Sequence, residues 1–368
     1  MRAGHLGRPR YHGAVLPLFK RLFHAKARPE PPEPPGMASP AVPPAPAPEQ
    51  PAPEPDPFDG PWALLSGAAE PRPRPWSGAE EAAAAALAAQ VLDHFSRNKP
   101  APTAYPALAV QIMDLLNDPE VDLARLIKAI GTDPAVSLNV LRVANSALYN
   151  RGGDATDLRM AVMRIGLRGV GEIAAGVAGR TLFDVSLRVE YEVFPGRWHD
   201  LFLDTMAVAF SASQYAFELD AGRADRAFLA GMFHAIGKSL ALRSLANLAI
   251  SGALPEVPPG PVVDEVLERV HVEIGIVLHD LWGLPAHLKE VCRRQHEPVI
   301  PDDPGHADLH LLRLAAGLHR LALDPEDGTR LAETRQSLGA LRLARRGARL
   351  HWREMQAQIE RVKVMFPA

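Results

Sequence analysis

Histidine is the residue type in this chain best suited to metal chemistry, because neutral imidazole lends a lone pair to a divalent ion, and the sequence holds 14 histidines. Two of those in its second half have a plain structural reading. His234 lies in Leu229-Ala230-Gly231-Met232-Phe233-His234-Ala235-Ile236-Gly237-Lys238, and in that helix break its ring nitrogens can bond backbone or a neighbouring polar group. His271 shares the stripe of Leu267, Ile274 and Leu278, the core-facing side of its helix, so a satisfied core histidine is preferred. Lys238 is a candidate ligand or phosphate contact, although a solvated lysine at a helix start is the ordinary case. The single cysteine, Cys292, excludes an internal disulfide and any Cys-based zinc cluster.

The elements that must carry these residues read as helices. Ala-rich Glu80 to Phe95 offers Val91, Leu92 and Phe95 for packing, and Leu108, Ile112, Leu115 and Leu116 recur at helical steps before the Asn117-Asp118-Pro119 turn. Asp122 caps the next helix, and Gly131 is expected to close it in the left-handed conformation. Asp133-Pro134 starts a helix whose two stripes, Val136/Val140/Val143 and Leu138/Leu141/Ala144, predict a central, enclosed position. Asn145 there must find hydrogen-bond partners. Thr156 is read as the cap of Leu158 to Ile165, with Gly166 as its break and Val170 to Leu182 resuming. Longer helices are expected at about Asp200 to Glu218, at Asp225 to Ala249 with a break near Gly237, and at Val262 to Trp282, where Gly283 and Pro285 make the stop. No alternating strand pattern is found, so the fold class is all-α.

Composition limits the foldable length. Of the 36 prolines, 20 fall before Trp76, and Pro40 to Pro61 offers little to bury. The first 75 residues read as disordered, a basic arm followed by a stretch from Pro29 to Glu70 with seven acids and no base. Within the arm, residues 15–28 set Val15, Leu18, Phe19, Leu22 and Phe23 beside Lys20 and Arg21, a pattern that fits peripheral contact with a membrane or a partner groove. A net charge of -3 argues against nucleic acid as the partner. No apolar run reaches the ~18 residues of a membrane span, and Pro17, Lys20 and Arg21 interrupt any secretory h-region, so a cytoplasmic location is expected.

The stretch from Tyr105 to about Glu297 resembles the HDOD domain, a bacterial signalling relative of the HD metal-dependent phosphohydrolases. The resemblance rests on blocks in the family's order: Leu115 to Pro119 with Asp133-Pro134 and Leu141 to Tyr149; Ala161 to Leu167; Leu229 to Lys238; and His271-x-Glu273-x-Gly275, Trp282 to Pro285 and His296-Glu297. It implies an all-α HD/HDOD-like fold and a site descended from one in which a His, a His-Asp pair and a further Asp or His hold one or two metals. The metal in such enzymes lowers the pKa of an attacking water, and the Asp of the pair can bridge two ions. This chain departs from that pattern. Ala235 stands where the pair's Asp would be, Asp204 where the first His would be, and Gln295 replaces half of a double His; His234, His271 and His296 remain at matching positions.

The resulting division is 1–75 arm and tether, 76–100 lead-in helix, 101–298 HDOD-like domain and 299–368 C-terminal helical extension. The expected function is a non-catalytic signal-transduction module that binds a regulatory protein partner or small effector, with no catalytic residue, metal or cofactor. Two alternatives stand beside it. One is a metal-dependent phosphohydrolase acting on a nucleotide through His234, His271 and His296. The other is an adaptor that works through its basic arm or its basic C-terminal helix, which carries Arg342, Arg345, Arg346, Arg349, Arg353, Arg361 and Lys363.

Overall fold

Side-chain caps set where several helices begin. The computed structural model describes residues 56–72, 77–98, 107–116, 118, 120–150, 152–183 and 189–367, and among the described residues it holds fifteen α-helices and no strand. In order they are α1 (Asp59–Ser66), α2 (Gly78–Asn98), α3 (Ala107–Leu116), α4 (Leu123–Ile130), α5 (Pro134–Ala144), α6 (Leu158–Ile165), α7 (Leu167–Gly179), α8 (Arg197–Glu218), α9 (Ala224–Phe233), α10 (Ile236–Ile250), α11 (Gly260–Trp282), α12 (Ala286–Arg294), α13 (Ala307–Leu323), α14 (Leu331–Ala340) and α15 (Arg345–Met365). No helix is long and apolar enough to cross a membrane.

Helices α3 to α7 pack on one another as a group. In the rest of the unit α8 is central, flanked by α9, α13 and α15, while α10 pairs with α11 and both receive α2. Close approach depends on small residues. A Cβ on Gly231 of α9 would lie 2.4 Å from the Ala209 Cα of α8.

The Asp122 carboxylate accepts the Arg125 N–H, and Asp133 accepts those of Ala135 and Val136 with Pro134 in the first turn. Four local expectations are corrected. Gly131 is right-handed (φ -66°), since its N–H bonds back to the Ile127 carbonyl and the Thr132 N–H to that of Ala129 within a continuing turn. Asp157, not Thr156, caps α6: its carboxylate accepts the Met160 N–H at 2.8 Å, three residues on, while the Thr156 hydroxyl turns to Met160 Sδ. α3 is rotated, burying Ala109, Val110, Ile112 and Met113 and leaving Leu115 and Leu116 half-buried. α5 is less enclosed than expected: Val136, Val140 and Val143 are buried, but of the second stripe only Ala144 is, with Leu141 half-buried and Leu138 67% exposed.

Asn145, at the end of α5, ties that helix to the following loop. Its side-chain amide donates to the Ala155 carbonyl (3.0 Å), and its oxygen accepts from the Ala155 N–H (2.7 Å) and from Arg164 Nη1 (3.0 Å). Asn145→Ala is expected to cost about 1–3 kcal/mol, read as a lower urea midpoint, because the Ala155 peptide loses both partners.

Two boundaries of the expected organisation move. The tether does not run to residue 75, since α1 is docked: Phe58 is fully buried, with its ring 5.4 Å from that of Trp352, and Leu64 and Leu65 are buried behind it. The disorder expected of the arm and the amphipathic segment expected at 15–28 concern residues outside the described ones. Residues 299–368 are not an appendage either. α13 is buried along most of its length against α8, α9, α14 and α15, and α15 buries Trp352, Met355, Ile359 and Val362. Part of the basic face of α15 is met by the chain itself, through Asp59 with Arg345 and Asp56 with Arg349 and Arg353. Such surface pairs are worth ~0–1 kcal/mol. Trp282 is only half-buried, so its truncation cannot carry the full cost of an enclosed tryptophan; Gly283 (φ 60°) ends α11 and Pro285 precedes α12.

Candidate functional site

The break between α9 and α10 creates the site. α9 ends at Phe233, His234 and Ala235 span the gap, and α10 begins at Ile236, so the two gap residues face a cavity of about 270 Å³ rather than a helix neighbour. Asp204 from α8, Lys238 from α10, Glu268 from α11 and Arg320 from α13 complete its polar wall. Of the sequence-derived positions, Asp204, His234, Ala235 and Lys238 therefore share one cavity. His271 and His296 do not line it; they lie behind Glu268.

Glu268 dominates the electrostatics. Its carboxylate accepts hydrogen bonds from Lys238 Nζ (2.5 Å), Arg330 Nη2 (2.9 Å) and Arg320 Nη2. Burial alone would raise its pKa, but Lys238, Arg330 and Arg320 outweigh burial and hold it well below the usual carboxylate range. Lys238 is buried in this contact, which corrects the expectation of a solvated lysine: its stem follows α10 inward, and its charge is neutralised by Glu268. Arg330 holds a left-handed backbone (φ 63°) while its guanidinium reaches Glu268, a conformation a non-glycine residue keeps only where its surroundings enforce it. At the rim, Asp204 Oδ1 sits 3.3 Å from His319 Nε2.

Each of the three histidines has at least one ring nitrogen bonded within the protein. His234 Nδ1 is 2.7 Å from the Gly231 carbonyl, and burial, with the nearby Arg330 charge, lowers its pKa to about 3. His271 Nδ1 donates to its own helix at the Leu267 and Glu268 carbonyls (3.2 and 3.0 Å), which leaves Nε2 as an acceptor facing His296 Nε2 at 3.3 Å. Burial lowers both pKa values, that of His271 well below the ordinary range with Lys238 adding to the effect. Gln295 lies beside His271, its amide 3.5 Å from His271 Nε2, and donates to the His234 carbonyl at 2.9 Å.

These residues do not fit a two-metal centre. Ala235 has no donor atom to bridge ions, and Asp204 lies across the cavity beside His319. Glu268, His271 and His296 do place ligand atoms within 4.8 Å of one another. An ion there would have to displace three cations from Glu268, and it would break the His271–His296 contact.

Sequence reasoning missed Glu268, Arg320 and Arg330. Glu268 is three residues before His271 and so on the same helix face, which was a usable signal. The arginines come from the stretch read as an extension, and nothing local marks them.

A family model described as HDOD domain matches residues 103–298, which is more than half of the chain. A Treponema pallidum protein with no described function is 26% identical over 210 residues, 54% of this chain, and the chain spans only 38% of that relative's length. Among solved structures, an HDOD domain protein of unknown function from Geobacter sulfurreducens is 18% identical, with a TM-score of 0.57, covering 77% of this chain and 99% of its own. A Shewanella amazonensis protein described as a candidate metal-dependent phosphohydrolase is 24% identical, with a TM-score of 0.52, covering 75% and 99%. At these identities the likeness to the solved structures is one of fold.

Proposed function

The chain belongs to the HDOD domain family, and we propose from this premise that it is a non-catalytic signalling module that acts by binding, with a regulatory protein as its partner. The observation that carries the reading is the state of Glu268. It is the carboxylate best placed to serve a metal beside Ala235, and it is fully engaged by Lys238, Arg320 and Arg330. A carboxylate already held by three cations is closed to a metal, which would have to displace them. Cavity size points the same way. About 270 Å³ is below the roughly 300–1,000 Å³ of ordinary small-molecule pockets, which disfavours a nucleotide substrate and leaves the outer surface, or a very small effector, as the recognition element.

The full chain, incubated with manganese, magnesium or iron, is expected to hydrolyse phosphodiesters, phosphomonoesters and nucleotides no faster than the metal salts alone. Turnover that rises with enzyme concentration and disappears in His234→Ala would make the protein a phosphohydrolase and end the non-catalytic reading.

A further inference from the structure

A second group of ligating side chains lies away from the cavity, where the end of α8 meets α15. Glu218 is the last residue of α8, and His351 and Glu354 are one turn apart on α15. His351 Nδ1 lies 3.0 Å from Glu354 Oε2 and 3.5 Å from Glu218 Oε2. All three ligand atoms fall within 4.8 Å of one another.

We propose that Glu218, His351 and Glu354 form a binding site for one divalent first-row transition ion of the zinc type, with water completing its coordination. The spacing suits such an ion. Metal–nitrogen and metal–oxygen bonds of about 2.0–2.2 Å place neighbouring ligands of a tetrahedral ion roughly 3.3–3.5 Å apart. Imidazole with two carboxylates is a donor set for zinc and its neighbours rather than for magnesium, whose sites are built from oxygen.

The imidazole is buried and fixed in place. His351 is 2% exposed, its ring centroid is 4.4 Å from that of Tyr215, and the Tyr215 hydroxyl donates to the His351 carbonyl at 2.8 Å. Its Nδ1 is thereby aimed at the gap between the two carboxylates, as a preformed metal site requires. Gln214 Nε2 holds the other Glu218 oxygen at 2.7 Å.

A proton on Nδ1 serves this arrangement incompletely. It makes one hydrogen bond, to Glu354, and leaves the Glu218 oxygen beyond it. Among the described residues neither glutamate forms an ion pair with lysine or arginine. A divalent ion replaces that proton, meets both carboxylates at once, and pins the C-terminal helix to α8. The inference does not depend on the signalling reading, because none of these residues lines the cavity.

The test uses the full chain stripped with chelator and titrated with zinc by calorimetry, and with cobalt(II) followed by visible absorption. Expected are a site of one ion per chain and a cobalt band typical of four or five ligands. Glu218→Gln/Glu354→Gln should weaken zinc binding at least about 100-fold, while His296→Ala leaves it unchanged. Glu218→Gln alone, at an exposed helix end, should weaken it in a chain that melts like the metal-free parent. Absence of zinc binding, binding that survives the double glutamine variant, or binding abolished by His296→Ala each overturns the proposal.

Discussion

Replacing Gly237 with alanine is expected to lower stability by more than about 3 kcal/mol and to leave the full chain without a native-like urea transition. An alanine Cβ there would stand 1.9 Å from the His271 carbonyl oxygen and 2.7 Å from the Gly275 N. Both are backbone atoms of α11. No rotamer change can clear them, so α10 and α11 must separate. Overpacking a side chain costs about 1–3 kcal/mol and sometimes more, and a backbone-to-backbone contact belongs at the upper end. The same movement pulls Lys238, the next residue, away from Glu268. Against a total stability of ~5–15 kcal/mol, the loss is large enough to see by circular dichroism. Gly339→Ala is the control. Nothing lies within 4 Å of its added Cβ in α14, so it should stabilise by ~0.5–1 kcal/mol. If Gly237→Ala keeps the parent midpoint, the two helices are not in the contact described.

That contrast shows where the sequence was informative. Asp122 and Asp133 were legible as helix starts because a cap acts within three residues of itself. A break in this stretch was legible but was placed near Gly237, which lies inside α10; it falls at His234–Ala235, where no side-chain cap marks the helix start, although the Ala at 235 could be read directly. Gly237 was visible only as an interruption, since its steric role depends on α11, more than thirty residues on. α5 was placed at the centre because two apolar stripes were counted, but whether Leu138 is covered depends on which helices arrive beside it. Residues 299–368 passed for an extension because the recognisable blocks end before them. Their burial follows from the large apolar face of α8, which accepts α13 and α15 together. Charge was hardest to place. A glutamate on a helix is read as solvated unless cations from elsewhere are known to meet it.

Glu268 is where that reading matters most, and Glu268→Gln is expected to cost about 3–5 kcal/mol at neutral pH. Glutamine keeps the shape and the hydrogen-bonding capacity of one oxygen, so the change isolates charge. Lys238, Arg320 and Arg330, with side-chain exposures of 12%, 30% and 8%, would then face one another across a neutral group. Among the described residues only Arg320 has a second carboxylate within 4 Å, Asp327 at 3.8 Å, while Asp204 and Glu333 reach Lys238 and Arg330 from farther off. The pH dependence carries the sign that tests the mechanism. The folded Glu268 pKa lies well below its unfolded value, so its contribution is complete above an unfolded pKa of about 4.3 and is lost as pH falls through the depressed folded value. The parent and the variant should therefore differ most near neutrality and converge in acid, where both carry an uncharged group at this position. Urea midpoints of the two proteins, compared from neutrality down through the acid transition, measure this gap, and contributions from other carboxylates cancel in the difference. A gap that stays constant with pH would assign the loss to packing. A gap below about 1 kcal/mol at neutrality would mean that the three cations do not depend on Glu268, and the case for a carboxylate closed to a metal would fall with it.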